Sequence, residues 1–162
     1  MSYYYSTEDL RKLQKKIVNV GLIAPTSMVS CKAQKLQPIC NGIGAEWMSK
    51  TSRAIITKML YYAEATACIH DYEYHYSDGE EERRKAVDKT FLMNGLREVR
   101  ARYPQWWNIR RWFGKRAVLI AYEVLSRTGA LAWQSAFAKR IQREFKQRKI
   151  KSKEFFKHET IN

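Results

Sequence analysis

Apolar positions recur with helical spacing along most of the chain. Over residues 7 to 20, Leu10, Leu13 and Ile17 share one face, Thr7 can cap the segment, and Glu8 and Asp9 suit its first turn. Over residues 51 to 76, Ile56, Met59, Leu60, Ala63 and Ala67 follow the three-four rhythm of a buried stripe. One long helix is expected there, broken by Ser77-Asp78-Gly79. Residues 80 to 102 predict a second helix, acidic at its start, as the helix dipole prefers, and ended by Pro104. Residues 107 to 126 and 130 to 157 predict two further helices divided at Thr128-Gly129. Residues 21 to 50 hold two of the three prolines and three of the seven glycines without a sustained period, and read as loop. The expected fold class is mainly α, with residues 1–136 as a single helical domain and 137–162 as a basic C-terminal helix or tail.

Composition narrows the function classes. A chain of 162 residues that is 45% hydrophobic can bury a core. It has no run of 18 apolar residues, so no membrane-spanning helix is expected. Its first residues lack the order of a signal peptide, which implies cytoplasmic synthesis, with action there or after release or particle delivery. Cys31, Cys40 and Cys68 are too few for a disulfide framework. Buried free thiols are the expectation, with a Cys31–Cys40 pair as the alternative in an oxidising setting. Net charge is +14, and residues 97–162 carry 17 Lys or Arg against 5 Asp or Glu, a net +12. Such a field favours polyanions: nucleic acid, an anionic membrane surface or an acidic protein.

Candidate chemistry centres on ACIHDYEYHYSDG, residues 67 to 79. The stripe of the 51–76 helix continues to His70 and Tyr74, four residues apart on one face. Asp71 lies about 100° around the helix. On the following helix Asp88 shares a face with Phe91, Leu92 and Gly95, and a carboxylate on an apolar face needs a partner. The turn at 77–79 makes the two helices antiparallel, so Asp88 can come opposite His70. One reading is a His–Asp dyad in which Asp88 fixes the tautomer and the other ring nitrogen acts as a base. The competing reading is a core histidine satisfied by a buried aspartate. Upstream, Gly42-Ile43-Gly44 permits a turn that aims carbonyls inward, and a hard cation such as calcium takes carbonyl and carboxylate oxygens. Zinc between His70 and His75 is disfavoured by their spacing of five. Neither a Walker loop nor a GxSxG elbow occurs.

CNGIG, HDYEY and AVDKTF, in that order over residues 38 to 95, resemble the phospholipase A2 family, in particular its short, disulfide-poor versions from parvovirus capsids and phage-type proteins. The resemblance implies a core of two long antiparallel helices with a glycine calcium loop. It also implies a calcium-dependent hydrolase that cleaves the sn-2 ester of glycerophospholipids. His70 would activate water, Asp88 would orient His70, and Tyr74 would support the pair. Asp71 and the backbone carbonyls of Cys40, Gly42 and Gly44 would hold calcium, with Gly42 N–H aiding the oxyanion.

The basic half opens other possibilities. In YPQWWNIRRWFGKR, residues 103 to 116, Trp106, Trp107, Trp112 and Phe113 stand among Arg110, Arg111, Lys115 and Arg116. This suits a membrane interface, or nucleic acid through phosphate contacts and base stacking. Alternatively, most of the tryptophans pack the core. The tail adds Lys139, Arg140 and Arg143 beside a thin apolar stripe, either as a solvated docked helix or as an anion-binding arm. A second function hypothesis follows: a basic phage-type protein on a reused phospholipase-like scaffold that binds nucleic acid or a nucleoprotein, for example as inhibitor of a host defence complex. A third is a membrane-damaging factor that acts without hydrolysis.

Overall fold

The computed structural model describes residues 5–40 and 61–159, with side chains to residue 151. Among the described residues the chain is helical and has no strand. Helix α1 spans Thr7–Val20 and buries Leu10, Leu13 and Ile17 as the spacing predicts. Its cap is Ser6 rather than Thr7. Ser6 Oγ accepts from Asp9 N and the Asp9 carboxylate accepts from Ser6 N, a reciprocal capping box. Gly21, at φ 66°, closes the other end in the left-handed conformation.

The segment expected to be loop contains two single-turn helices, α2 (Thr26–Val29) and α3 (Ala33–Leu36). Gln14 of α1 supports them, with its Nε2 within 2.8–3.2 Å of the carbonyls of Met28, Val29 and Cys31. Met28 and Leu36 then join the α1 stripe in a first core cluster.

Helix α4 spans Glu64–His75. The long helix expected over 51–76 is therefore not continuous, since residues 61–63 are turn and bend; residues 51–60 lie outside the described residues. The start is set from another helix. Ala63 occupies the N-cap position and has no side-chain acceptor. Glu98, fully buried, takes that role: its carboxylate accepts from Ala65 N at 3.2 Å, Thr66 N at 3.0 Å and Thr66 Oγ1 at 2.9 Å. Lys16 Nζ of α1 lies 2.6 Å from the same carboxylate and balances its charge. Glu98 belongs to α5, Glu81–Arg102, which returns antiparallel to α4 through a turn with Gly79 at φ 87°.

The two C-terminal helices expected on either side of Thr128-Gly129 are a single helix, α6, Ile109–Glu159. Its 51 residues span about 75 Å. Gly129 is a crossing point and not a break. A Cβ there would stand 2.5 Å from Tyr74 Oη and 3.2 Å from Arg84 Nη1. The absence of a side chain lets α6 lie directly on the α4–α5 pair. Val118 packs similarly over Gly95. Gly129→Ala ordinarily gains up to about 1 kcal/mol of helix propensity, but overpacking costs about 1–3 kcal/mol. We expect a net lower Tm for Gly129→Ala; a rise would show that the crossing is not tight.

Further along, α6 seals the exit of α4. Arg140 donates to Tyr76 O and Arg143 to His75 O, both at 3.2 Å, and Ser77 Oγ donates to Trp133 O. The two arginine bonds satisfy carbonyls that the end of α4 leaves open. Burial first, and the Arg143 charge second, hold His75 below its ordinary pKa. The unfolded chain therefore takes up a proton on His75 more readily than the folded one, and stability falls as pH drops through about 6.5. His75→Gln is expected to flatten that acid limb of Tm against pH.

The cysteines also depart from expectation. Cys40 and Cys68 form a disulfide, with Cα atoms 5.0 Å apart, and Cys31 is the free thiol. The partners are 28 residues apart, and only the packing of the segment after α3 against α4 brings them together. From the closed loop length alone, loss of the bond costs about 3.6 kcal/mol. Thermal unfolding with and without reductant should show it, and the Cys40→Ala/Cys68→Ala variant should be insensitive to reductant.

Candidate functional site

Helix α4 is buried on two faces. Ala65, Cys68, Ile69 and Tyr72 face the α1–α3 cluster, while Ala63 and Ala67 join Phe91, Val99, Val118 and Ala121 on the other side. His70 lies in this second face. Its Nε2 is 3.0 Å from Asp88 Oδ1, and both residues are buried. Bonding to a carboxylate requires Nε2 to donate, so Nδ1 is the basic nitrogen. The ring sits between Tyr74 and Phe91, at centroid distances of 4.2 and 5.3 Å.

Tyr74 Oη donates to the same Asp88 Oδ1 at 2.9 Å. Burial and the adjacent Asp88 charge push the Tyr74 phenol well above its ordinary range, so it remains a donor. The other carboxylate oxygen, Oδ2, accepts from Arg84 Nη1 at 2.5 Å. Arg84 is itself buried and is gripped by Glu81, with Nε to Oε2 at 2.8 Å and Nη2 to Oε1 at 2.6 Å. The Arg84 bond holds the Glu81 carboxyl below its usual range. Asp88 thus receives three donors and one compensating cation, which offsets the cost of burying its charge. The antiparallel helix pair, Tyr74 and the His70–Asp88 contact match the expected arrangement. Arg84, Glu81 and Gly129 were not anticipated. A signal was present, because Glu81, Arg84 and Asp88 follow a three-then-four ladder on one helical face.

The expected calcium ligands fall in two groups. Gly42 and Gly44 lie outside the described residues, while Asp71 and Cys40 are within them. Asp71 is half-exposed on α4. Cys68 is three residues before Asp71, so it stands one turn away on a neighbouring strip of the helix. The disulfide fixes Cys40 to that strip. Among the described residues no three His, Cys, Asp or Glu side chains gather as a metal site. A site made chiefly of backbone carbonyls does not need such a group.

One crevice, of about 10 Å³, is lined by His70, Thr66, Ile69 and Glu73 of α4 and by α5. That is room for about one water. By the 100° step per residue it lies on the flank of α4 away from Asp71. It is therefore not where a calcium-polarised carbonyl would sit.

In the basic half, Trp106, Trp107 and Trp112 are exposed, and core packing of most tryptophans does not hold among the described residues; Trp133 is the buried one. Arg110 and Arg116 are exposed, Arg111 and Lys115 half-buried, and Lys139 is exposed. Arg140 and Arg143 bind the exit of α4 as described above. No described helix is long and apolar enough to cross a membrane. The chain matches no family model, no curated protein and no solved structure.

Proposed function

We propose that this chain is a calcium-dependent hydrolase of the phospholipase A2 type, cleaving the sn-2 ester of glycerophospholipids. The observation that carries the reading is the 3.0 Å bond from His70 Nε2 to a buried Asp88 whose same oxygen accepts from Tyr74. That geometry holds one tautomer and leaves Nδ1 to take a proton from water as it attacks the ester carbonyl. When the alcohol leaves, His70 returns the proton to it. Asp88 orients the ring and stabilises the imidazolium, while Tyr74 and Arg84 keep Asp88 in place. Calcium, held by Asp71 and the carbonyls of Cys40, Gly42 and Gly44, would polarise the ester carbonyl and share the oxyanion charge with Gly42 N–H.

The test is sn-2 fatty acid release by the pure protein, in calcium or in chelator, beside His70→Gln and Asp71→Asn. Calcium-dependent release lost in both variants supports the reading. Full hydrolysis in chelator removes calcium from it, and no release from a folded wild type removes the enzyme. In that last case a second reading takes over. It is favoured by the Glu81–Arg84–Asp88 ladder, which by itself suffices to satisfy a structural core: the scaffold is reused for binding nucleic acid or a nucleoprotein.

A further inference from the structure

The segment from Tyr103 to Tyr122 contains four Lys or Arg and no Asp or Glu. The start of α6 sorts its side chains sharply. Gly114, Val118 and Ala121 pack against α5, with Gly114 beside Val99 and Val118 over Gly95. Ile109, Trp112, Phe113, Arg116 and Ile120 recur at spacings of three and four on the opposite face, and all five are exposed. Trp106 and Trp107, in the turn just before α6, are 80% and 69% exposed. The turn that carries them is built. Arg111 Nη1 donates to Pro104 O at 2.6 Å, and Arg110 N donates to Asn108 Oδ1 at 2.9 Å. Arg116 lies 4.9 Å over the Trp112 ring, which keeps its charge at the surface of the stripe. An exposed apolar helix face with exposed tryptophans at its start marks an interaction surface.

We infer that this outer face of α6 docks onto anionic lipid bilayers, lying in the plane of the interface. Charge complementarity selects the occupant. A second copy of a chain carrying +14 would bring the exposed Arg110 and Arg116 against like charge, which disfavours self-association. Between the polyanions, the centre of the stripe decides. Ile109 and Ile120 offer no ring for a nucleobase to stack on, but they partition well among acyl chains. Indole rings at the edge and arginines beside them suit the headgroup level, where both an apolar body and a phosphate partner are available. The inference does not rest on the hydrolase reading. The crevice beside His70 is lined by α4 and α5 alone, and docking is measurable with hydrolysis blocked.

The experiment is vesicle flotation of the full chain in chelator, with tryptophan emission recorded in parallel. One set of vesicles mixes phosphatidylglycerol with phosphatidylcholine and the other is phosphatidylcholine alone. The expected result is flotation and a blue shift with the anionic vesicles only. Both should fall by at least about tenfold in Ile109→Asp and in Trp106→Ala/Trp107→Ala. Phe145→Ala, also exposed but far along α6, should bind as wild type. The variants change exposed side chains, so a matching far-UV spectrum and Tm confirm that they fold. The inference is overturned if anionic vesicles do not bind, or if Ile109→Asp binds them as wild type does. It is equally overturned if a single-stranded oligonucleotide displaces the vesicles and loses its own binding in the same variants. Flotation in chelator, followed by no sn-2 fatty acid release when calcium is added back to the same vesicles, would sink the enzyme reading and leave the docking face standing.

Discussion

Glu98→Ala is expected to lower stability by about 3–5 kcal/mol, the largest loss from any single change outside the dyad. With about 2–4 °C per kcal/mol at this chain length, Tm should fall by roughly 10 °C. Glu98 is fully buried and takes three hydrogen bonds from the first turn of α4 as well as the Lys16 charge. Alanine leaves two helix N–H groups and the Thr66 hydroxyl without an acceptor in a dry site, and each such group costs about 1–3 kcal/mol. Lys16 suffers less because its side chain remains partly in water. Thermal melts of Glu98→Ala, Lys16→Met and the double variant test the assignment. The double variant should be less destabilised than the sum, because the two residues share one interaction. Strict additivity, or a Glu98→Ala loss below about 1 kcal/mol, would show that α4 is capped by other means.

Asp88→Ala is the second large effect, about 3–5 kcal/mol, with complete loss of any His70-dependent hydrolysis. It removes the acceptor of His70 Nε2, Tyr74 Oη and Arg84 Nη1 together, and leaves the Arg84 charge buried with Glu81 as its remaining acidic contact. Asp88→Asn keeps the shape and one acceptor and should recover part of the stability. It should not recover activity, because an amide cannot stabilise an imidazolium as a carboxylate does. Adding Arg84→Met to Asp88→Ala should restore part of the stability, since one buried charge is then gone while His70 and Tyr74 still lack their acceptor. If Asp88→Asn retains full activity while His70→Gln has none, His70 works without its partner and the dyad is structural.

The sequence located His70, Asp88 and Tyr74 through spacing alone, because helical periodicity is a local property and the turn at 77–79 is written in Ser77-Asp78-Gly79. The same logic failed wherever one element finishes another. The start of α4 is invisible locally because its cap comes from Glu98, 33 residues beyond Ala65. Gly129 reads as a break in one dimension. In three dimensions it is the point where α6 needs no side chain, since Tyr74 Oη occupies the space. The Cys40–Cys68 bond was missed for a similar reason, since a disulfide depends on which surfaces meet and not on spacing.

By itself, then, the sequence determined the mainly helical class, the buried faces of α1 and α5 and one of the two of α4, the charge asymmetry and the side chains available for chemistry. These follow from periodicity and composition. Only the tertiary structure decided that Arg84 shares Asp88 with His70, that Cys40 is bonded to Cys68, and that Trp106, Trp107 and Trp112 face outward while Trp133 is buried. A tryptophan carries the same apolar area in either place, and its fate is set by whether another helix arrives to cover it.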